Sequence, residues 1–316
     1  MPLKLAFMMT ITMVLLFGFL FAALAIVGYY MSLPGYLVVF LAILLVFIQW
    51  FVSPYIIWWT TNMRLLEKNE YVWLQKMVKE LCRKTKTPVP KIAIVNSGAP
   101  NAFVFGRTPK SAVLAVTRGL LNSLNKDEVK AVIAHEIGHI NHKDMIVMTV
   151  VSVIPTILYF IARFMIFQPR EERRKSTTTA ILIGALAYLI YFITNLLVLA
   201  LSRLREYYAD YFSATNTKPR LLVRALAKIT YGLSVSRESK NDHLRAFFIA
   251  DPITAKKEMH SLSEEYSDFA LESEELKRAM EWERKNPLVR LSEIFSTHPL
   301  TYKRIKALLE LEKTTS

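Results

Sequence analysis

His135-Glu136-Ile137-Gly138-His139 is the stretch around which this sequence organises itself. Two histidines four apart mean little unless they lie on a helix, and the flanking residues supply one. Asn125 followed three residues later by Glu128 has the form of a capping box, and Val129, Val132 and Ile133 give the turn that follows an apolar face. On such a helix His135 and His139 share one face and can each offer an imidazole nitrogen to the same Zn2+. Glu136 then points to one side, where it can act as a base on an attacking water.

Catalytic zinc needs a third protein ligand and an open fourth position. The metzincin pattern would put Gly at 142 and His at 145; the residues are His142 and Met145, which excludes that class. Cys82 is the only cysteine, so a thiolate zinc site and an intramolecular disulfide are excluded as well. His142 lies seven residues after His135 and near the same face, but three ligands in one row along a helix give poor tetrahedral geometry. Glu206, in Ser202-Arg203-Leu204-Arg205-Glu206-Tyr207-Tyr208-Ala209-Asp210, is the better candidate. Glu206 and Asp210 are four apart, so one can bind metal while the other hydrogen-bonds a ligand histidine from behind. The same spacing also describes a solvated helix face paired with Arg203 and Arg205.

Around these motifs the chain is too apolar for a purely soluble protein: 53% of its 316 residues are hydrophobic and the mean hydropathy is +0.28. From Met1 to Trp59 the one charged side chain is Lys4. Leu5 to Tyr29 is long enough to cross a bilayer, and no polar region precedes Ala23 and Ala25, so a retained helix is favoured over a cleaved leader. A second span is expected from Tyr36 to Trp59, ending in interfacial tryptophans. Met145 to Phe167 and Thr178 to Leu201 form an apolar hairpin, expected to cross fully although Arg170, Arg173, Arg174 and Lys175 lie in its connection. This divides the chain into 1–60, two transmembrane helices; 61–144, the first part of a soluble domain; 145–201, the hairpin; and 202–316, the second part. If the helices on either side of the hairpin run straight, the metal lies just beneath the membrane surface.

The formal net charge is +14, and the soluble parts carry much of it: Thr60 to Asp144 has 14 basic against 7 acidic residues, and Leu201 to Ser316 has 20 against 17. A basic domain beside apolar spans fits a cytoplasmic face near anionic lipid, and no aromatic-basic RNA motif accompanies it, so a lipid bilayer and no nucleic acid is expected as partner. Met63 to Lys84 reads as a helix. Lys91 to Asn96, Ala102 to Gly106 and Ala112 to Thr117 read as strands of a small antiparallel sheet, with Arg107-Thr108-Pro109-Lys110 as a turn. Arg220 to Gly232 and Leu300 to Glu312 read as amphipathic helices.

The HExxH helix, the apolar hairpin and the ExxxD helix, with Pro100-Asn101-Ala102-Phe103 upstream and Thr297-His298-Pro299 and Arg304 downstream, resemble the HtpX-type membrane zinc metalloproteases, relatives of the CAAX prenyl proteases. The resemblance covers nearly the whole chain. It implies one Zn2+ held by His135, His139 and Glu206, Glu136 as catalytic base, and Asp210 behind a ligand. The implied fold is α+β: a mainly α-helical integral membrane protein with a zincin-like (gluzincin) metalloprotease domain containing a small antiparallel sheet. The family's bacterial members degrade misfolded membrane proteins, so unfolded or damaged membrane proteins are the expected substrates and the cell membrane, with the domain cytoplasmic, the expected location. His298 resembles the family's C-terminal histidine and would donate to the oxyanion with Arg304 as its support; by itself it is also a surface histidine before Pro299. Asn101 and Ala102 would open an edge strand that pairs with an extended substrate, or form a turn before a core strand. A specific processing protease of the prenyl type is the alternative, weakened by having four apolar segments rather than a larger intramembrane chamber. A catalytically silent scaffold would not need Glu136. Cys82, His243 and His260 are read as structural.

Overall fold

The computed structural model describes residues 7–16, 18–19, 35–167, 177–232 and 273–315. In chain order its elements are α1 (Phe7–Leu16), α2 (Gly35–Thr61), β1 (Arg64–Leu65), α3 (Val72–Thr85), β2 (Lys91–Val95), β3 (Ala102–Phe105), β4 (Val113–Thr117), α4 (Arg118–Ser123), α5 (Lys126–Asn141), α6 (Asp144–Phe167), α7 (Thr177–Asn216), α8 (Pro219–Gly232), α9 (Ser273–Lys285), α10 (Pro287–Ser292) and α11 (Thr301–Thr315). The chain divides into two compact units, one of Ser53–Met145 with Arg205–Ser316 and one of Pro2–Val52 with Ile146–Leu204.

In the first unit the sheet runs in the order β1-β2-β4-β3. Its period-two alternation sorts side chains onto two faces. Ile94, Ala102, Leu114 and Val116 face the main core with Leu74, Val78, Val132, Ile133, Leu226 and Ile305 from the helices. Ala93, Val95, Phe103, Phe105 and Ala115 face a smaller cluster with Met63, against which Ile57 packs. The sheet is mixed, which corrects the antiparallel expectation: β2 pairs with β4 in parallel, while β1–β2 and β3–β4 are antiparallel. The reason is the path after β2. The chain passes to the far side of β4 before forming β3, so the β3–β4 hairpin returns β4 alongside β2 in the same direction. Gly106 makes that hairpin possible, with φ of 146° and no room for a Cβ, which would meet the Ser111 carbonyl oxygen at 2.9 Å.

The helix expected from Met63 begins only at Val72. Asn62 and Tyr71 both have left-handed φ, 47° and 40°, and between them Arg64 and Leu65 pair with Ile94 and Ala93. Both oxygens of Glu70 accept from the Arg64 guanidinium at 2.6 Å, which holds this turn in place of a helical one. By contrast α5 starts where its sequence says. The Asn125 side chain accepts from the backbone of Asp127 and Glu128, and Glu128 Oε2 accepts from Asn125 N at 3.0 Å.

In the second unit Leu16, Val151, Ile154, Leu158, Val198 and Leu201 form an apolar cluster, and Gln49 Nε2 donates to Ser152 Oγ at 2.8 Å. One helix among the described residues, Gly184–Asn216 within α7, is long and apolar enough to cross a membrane by length and composition. Most of the expected first span, the basic connection of the hairpin, and His243 and His260 lie outside the described residues.

Candidate metal centre

Three helices of the first unit, and the turn that leads into one of them, build the centre. The α5 helix presents His135, Glu136 and His139, all but His139 fully buried. The polar end of α7 presents Glu206 and Asp210, both buried. The two helices lie close: Ser213 Oγ donates to the Ala131 carbonyl at 2.7 Å, and a Cβ on Gly138 would meet Ala209 Cα at 3.2 Å. His298 precedes α11, and Arg304 lies within it, one of the largest fully buried side chains.

His135, His139 and Glu206 each bring one ligand atom within 4.8 Å of the others, the expected metal set. Behind each histidine stands a carboxylate. His135 Nδ1 lies 3.0 Å from Asp210 Oδ1, and His139 Nδ1 lies 2.6 Å from Asp144 Oδ2. With its Nδ1 proton turned to the carboxylate behind it, each ring would leave its Nε2 as a lone pair free to bind a metal. Those two nitrogens approach to 3.2 Å, with Glu206 Oε2 3.5 Å from one and Oε1 3.4 Å from the other. Lone pairs and a carboxylate converging in a buried space repel unless a cation sits among them, so this donor set fits a metal ion.

Glu206 is kept charged by its surroundings. Burial opposes its ionisation, but the charges of His298 and Arg304 act against that, and its carboxyl is held well below the usual range. Arg304 Nη1 and His298 Nδ1 both lie 3.2 Å from Glu206 Oε2. Arg304 also donates to both oxygens of Asp210, at 2.8 and 2.6 Å. The sequence reading attached Arg304 to His298; the structure places it on the two acidic residues of α7. Burial also pushes the Glu136 carboxyl up, the direction that suits a group meant to accept a proton.

His142 stands outside the metal group. Its ring meets Tyr208 and Phe212 edge to face, at 5.5 and 5.8 Å between centroids, and burial pushes its pKa down to about 4. Asn101 and Ala102 divide in role. Asn101 is buried and its backbone is taken up by Thr117, whose Oγ1 accepts from Asn101 N at 2.8 Å and whose N donates to Asn101 O at 3.0 Å. By antiparallel alternation Phe103 and Phe105 also bond to β4, so Ala102 and Val104 turn their backbone groups to the other edge of β3, which pairs with no further strand among the described residues and where Ala102 is buried.

Two residues that sequence reading missed are Asp144 and Arg205. Arg205 is buried, pairs with Asp144 and donates to the His142 carbonyl at 3.3 Å, rather than lying on a solvated face. The available signal was an acidic residue five positions after the second histidine and an arginine beside the third ligand.

Comparison with known proteins bears on what this centre is. A family model described as peptidase family M48 matches residues 68–312. Similar sequences include a protease HtpX homolog of Methanothermobacter thermautotrophicus, 41% identical over 241 residues, which are 75% of this chain and 90% of that one. Protease HtpX homolog 2 of Methanosarcina acetivorans is 32% identical over 315 residues, 98% of this chain and 95% of that one. In fold the chain is similar to the crystal structure of S. mikatae Ste24p, with a TM-score of 0.53 at 20% identity, over 97% of this chain and 67% of that one. Every residue of the candidate centre lies inside the matched segment, and the chain belongs to peptidase family M48.

Proposed function

We propose that this metalloprotease is a zinc endopeptidase embedded in the cell membrane, which hydrolyses unfolded or damaged membrane proteins from the cytoplasmic side. The observation that carries the zinc reading is the pair of facing Nε2 atoms, 3.2 Å apart, with Glu206 beside them. Two imidazoles and a carboxylate make the donor set of a catalytic zinc with an open position. Zinc held there supplies Lewis acidity, which makes a water easier to deprotonate and a carbonyl easier to attack.

The chain's own residues do the rest. Glu136, raised by burial, accepts the proton of the attacking water and returns it to the leaving amine. His298 is the donor proposed for the developing oxyanion; its buried Nε2 has no hydrogen-bond partner among the described residues. The edge of β3 that pairs with no strand among the described residues, through Ala102 and Val104, would pair with an extended peptide by backbone alone, which favours unfolded substrates over a particular side chain. The apolar stretch of α7, ending five residues before Glu206, supports a location at the membrane.

The test is metal analysis and casein cleavage on the detergent-purified full chain, wild type beside Glu136→Gln. One zinc per chain is expected in both, with hydrolysis reduced about 10²-fold or more in the variant. Activity within a few-fold of wild type removes Glu136 as the base, and a chain that binds no zinc removes the whole reading.

A further inference from the structure

His139 and Asp144 are five residues apart, and on an uninterrupted helix that spacing turns them about 140° away from each other. They meet because the helix is interrupted. Lys143 adopts φ of 59°, α5 ends at Asn141, and Asp144 opens α6 turned back toward the ring. The result is a 2.6 Å contact between His139 Nδ1 and Asp144 Oδ2 in a buried setting. The other oxygen of Asp144 is paired with Arg205, which is buried and also donates to the carbonyl of His142, where α5 ends. A buried ion pair adds little net stability, because desolvation offsets its attraction, so its position is more informative than its energy.

That position repeats the one behind His135, where Arg304 holds Asp210 and Asp210 meets Nδ1. We propose that Asp144 and Arg205 are positioning residues for the metal: Asp144 takes the Nδ1 proton of His139 and so keeps its Nε2 bare and aimed at Glu206, and Arg205 keeps Asp144 charged and in place. The two histidines are thus backed by two arginine-carboxylate pairs, Arg205 with Asp144 and Arg304 with Asp210. Loosening one pair leaves the other ligand fixed, so the metal is held more weakly rather than lost together with the fold. This inference rests on the zinc reading.

The test is zinc retention by the detergent-purified full chain against a graded chelator, together with the visible spectrum of the Co2+-substituted protein. Wild type is compared with Asp144→Ala, Asp144→Asn and Arg205→Gln, and the melting of each metal-free chain checks its fold. Asp144→Ala is expected to bind zinc about 10- to 100-fold more weakly and to shift the cobalt bands. Asp144→Asn, whose amide oxygen can still accept from Nδ1, should fall between it and wild type. A folded Asp144→Ala with wild-type affinity and spectrum overturns the proposal. If that variant does not fold, Arg205→Gln decides in the same way: weaker zinc binding supports the pair, and unchanged binding overturns it. A wild-type chain that binds neither metal would fail at the zinc reading itself, before these variants are compared.

Discussion

A carboxylate sealed from water beside two imidazoles persists because a cation flanks it, and at Glu206 that is the Arg304 guanidinium, 3.2 Å away. Glu206→Gln keeps the shape and removes the charge, so metal analysis should find zinc depleted, while His142→Ala, which loses a ring packed on Tyr208 and Phe212, should retain it. Full zinc in the first and loss in the second would exchange their roles. Glu136 sets a pH dependence whose sign follows from its burial. It must be ionised to accept a proton, and its carboxyl is raised above 4.5, so kcat/KM should fall with falling pH through an acid limb above the range of an ordinary glutamate. In Glu136→Gln the residual rate should lack that limb, and a limb that persists assigns it to another group. His135, Glu136 and His139 were legible because helical periodicity alone fixes their mutual placement. Asp144 was not, since its approach depends on a positive φ at Lys143 that no residue pattern announces.

At the scale of elements, the contact that matters most is α5 against α7, because it brings ligands from two helices to one point. Gly138 is where they touch, with Ala209 Cα and Phe212 Cβ both 3.2 Å from where a Cβ would stand. Replacing a helical glycine gains at most ~1 kcal/mol of propensity, whereas forcing extra volume into a packed contact costs ~1–3 kcal/mol. The second effect wins here because backbone cannot swing aside. Gly138→Val should therefore lower the melting temperature and weaken zinc binding together; an unchanged melt with full zinc would mean that the helices have slack. The start of α5 could be read from Asn125 and Glu128, since a capping box is a purely local bond pattern. The order β1-β2-β4-β3 could not, because three short apolar runs fit parallel and antiparallel pairing equally, and the two-residue β1 is too short to show an alternation.

For the whole molecule, the composition declared an apolar chain with basic segments between and after its apolar stretches, and that charge pattern is the ground for proposing that those segments face the cytoplasm. Lys143→Cys and Arg203→Cys should react with an impermeant thiol reagent only from the cytoplasmic face of sealed vesicles. Cys82 need not be removed first: it is buried, and burial pushes its thiol up to about 11, so it stays unreactive. Labelling of either new cysteine from the opposite face overturns the proposed orientation. The pairing of Asp210 with Arg304 has a further meaning when the chain is considered in time. The two are 94 residues apart in sequence. At ~5–20 residues per second, a ribosome leaves the acidic residues of α7 waiting roughly five to twenty seconds for their arginine. Through that interval the growing polypeptide already holds His135, Glu136 and His139, but lacks the guanidinium that lies beside Glu206 and Asp210. The centre is thus closed by a residue synthesised last, so its acidic pair is the part of the site that forms only when the chain is nearly finished.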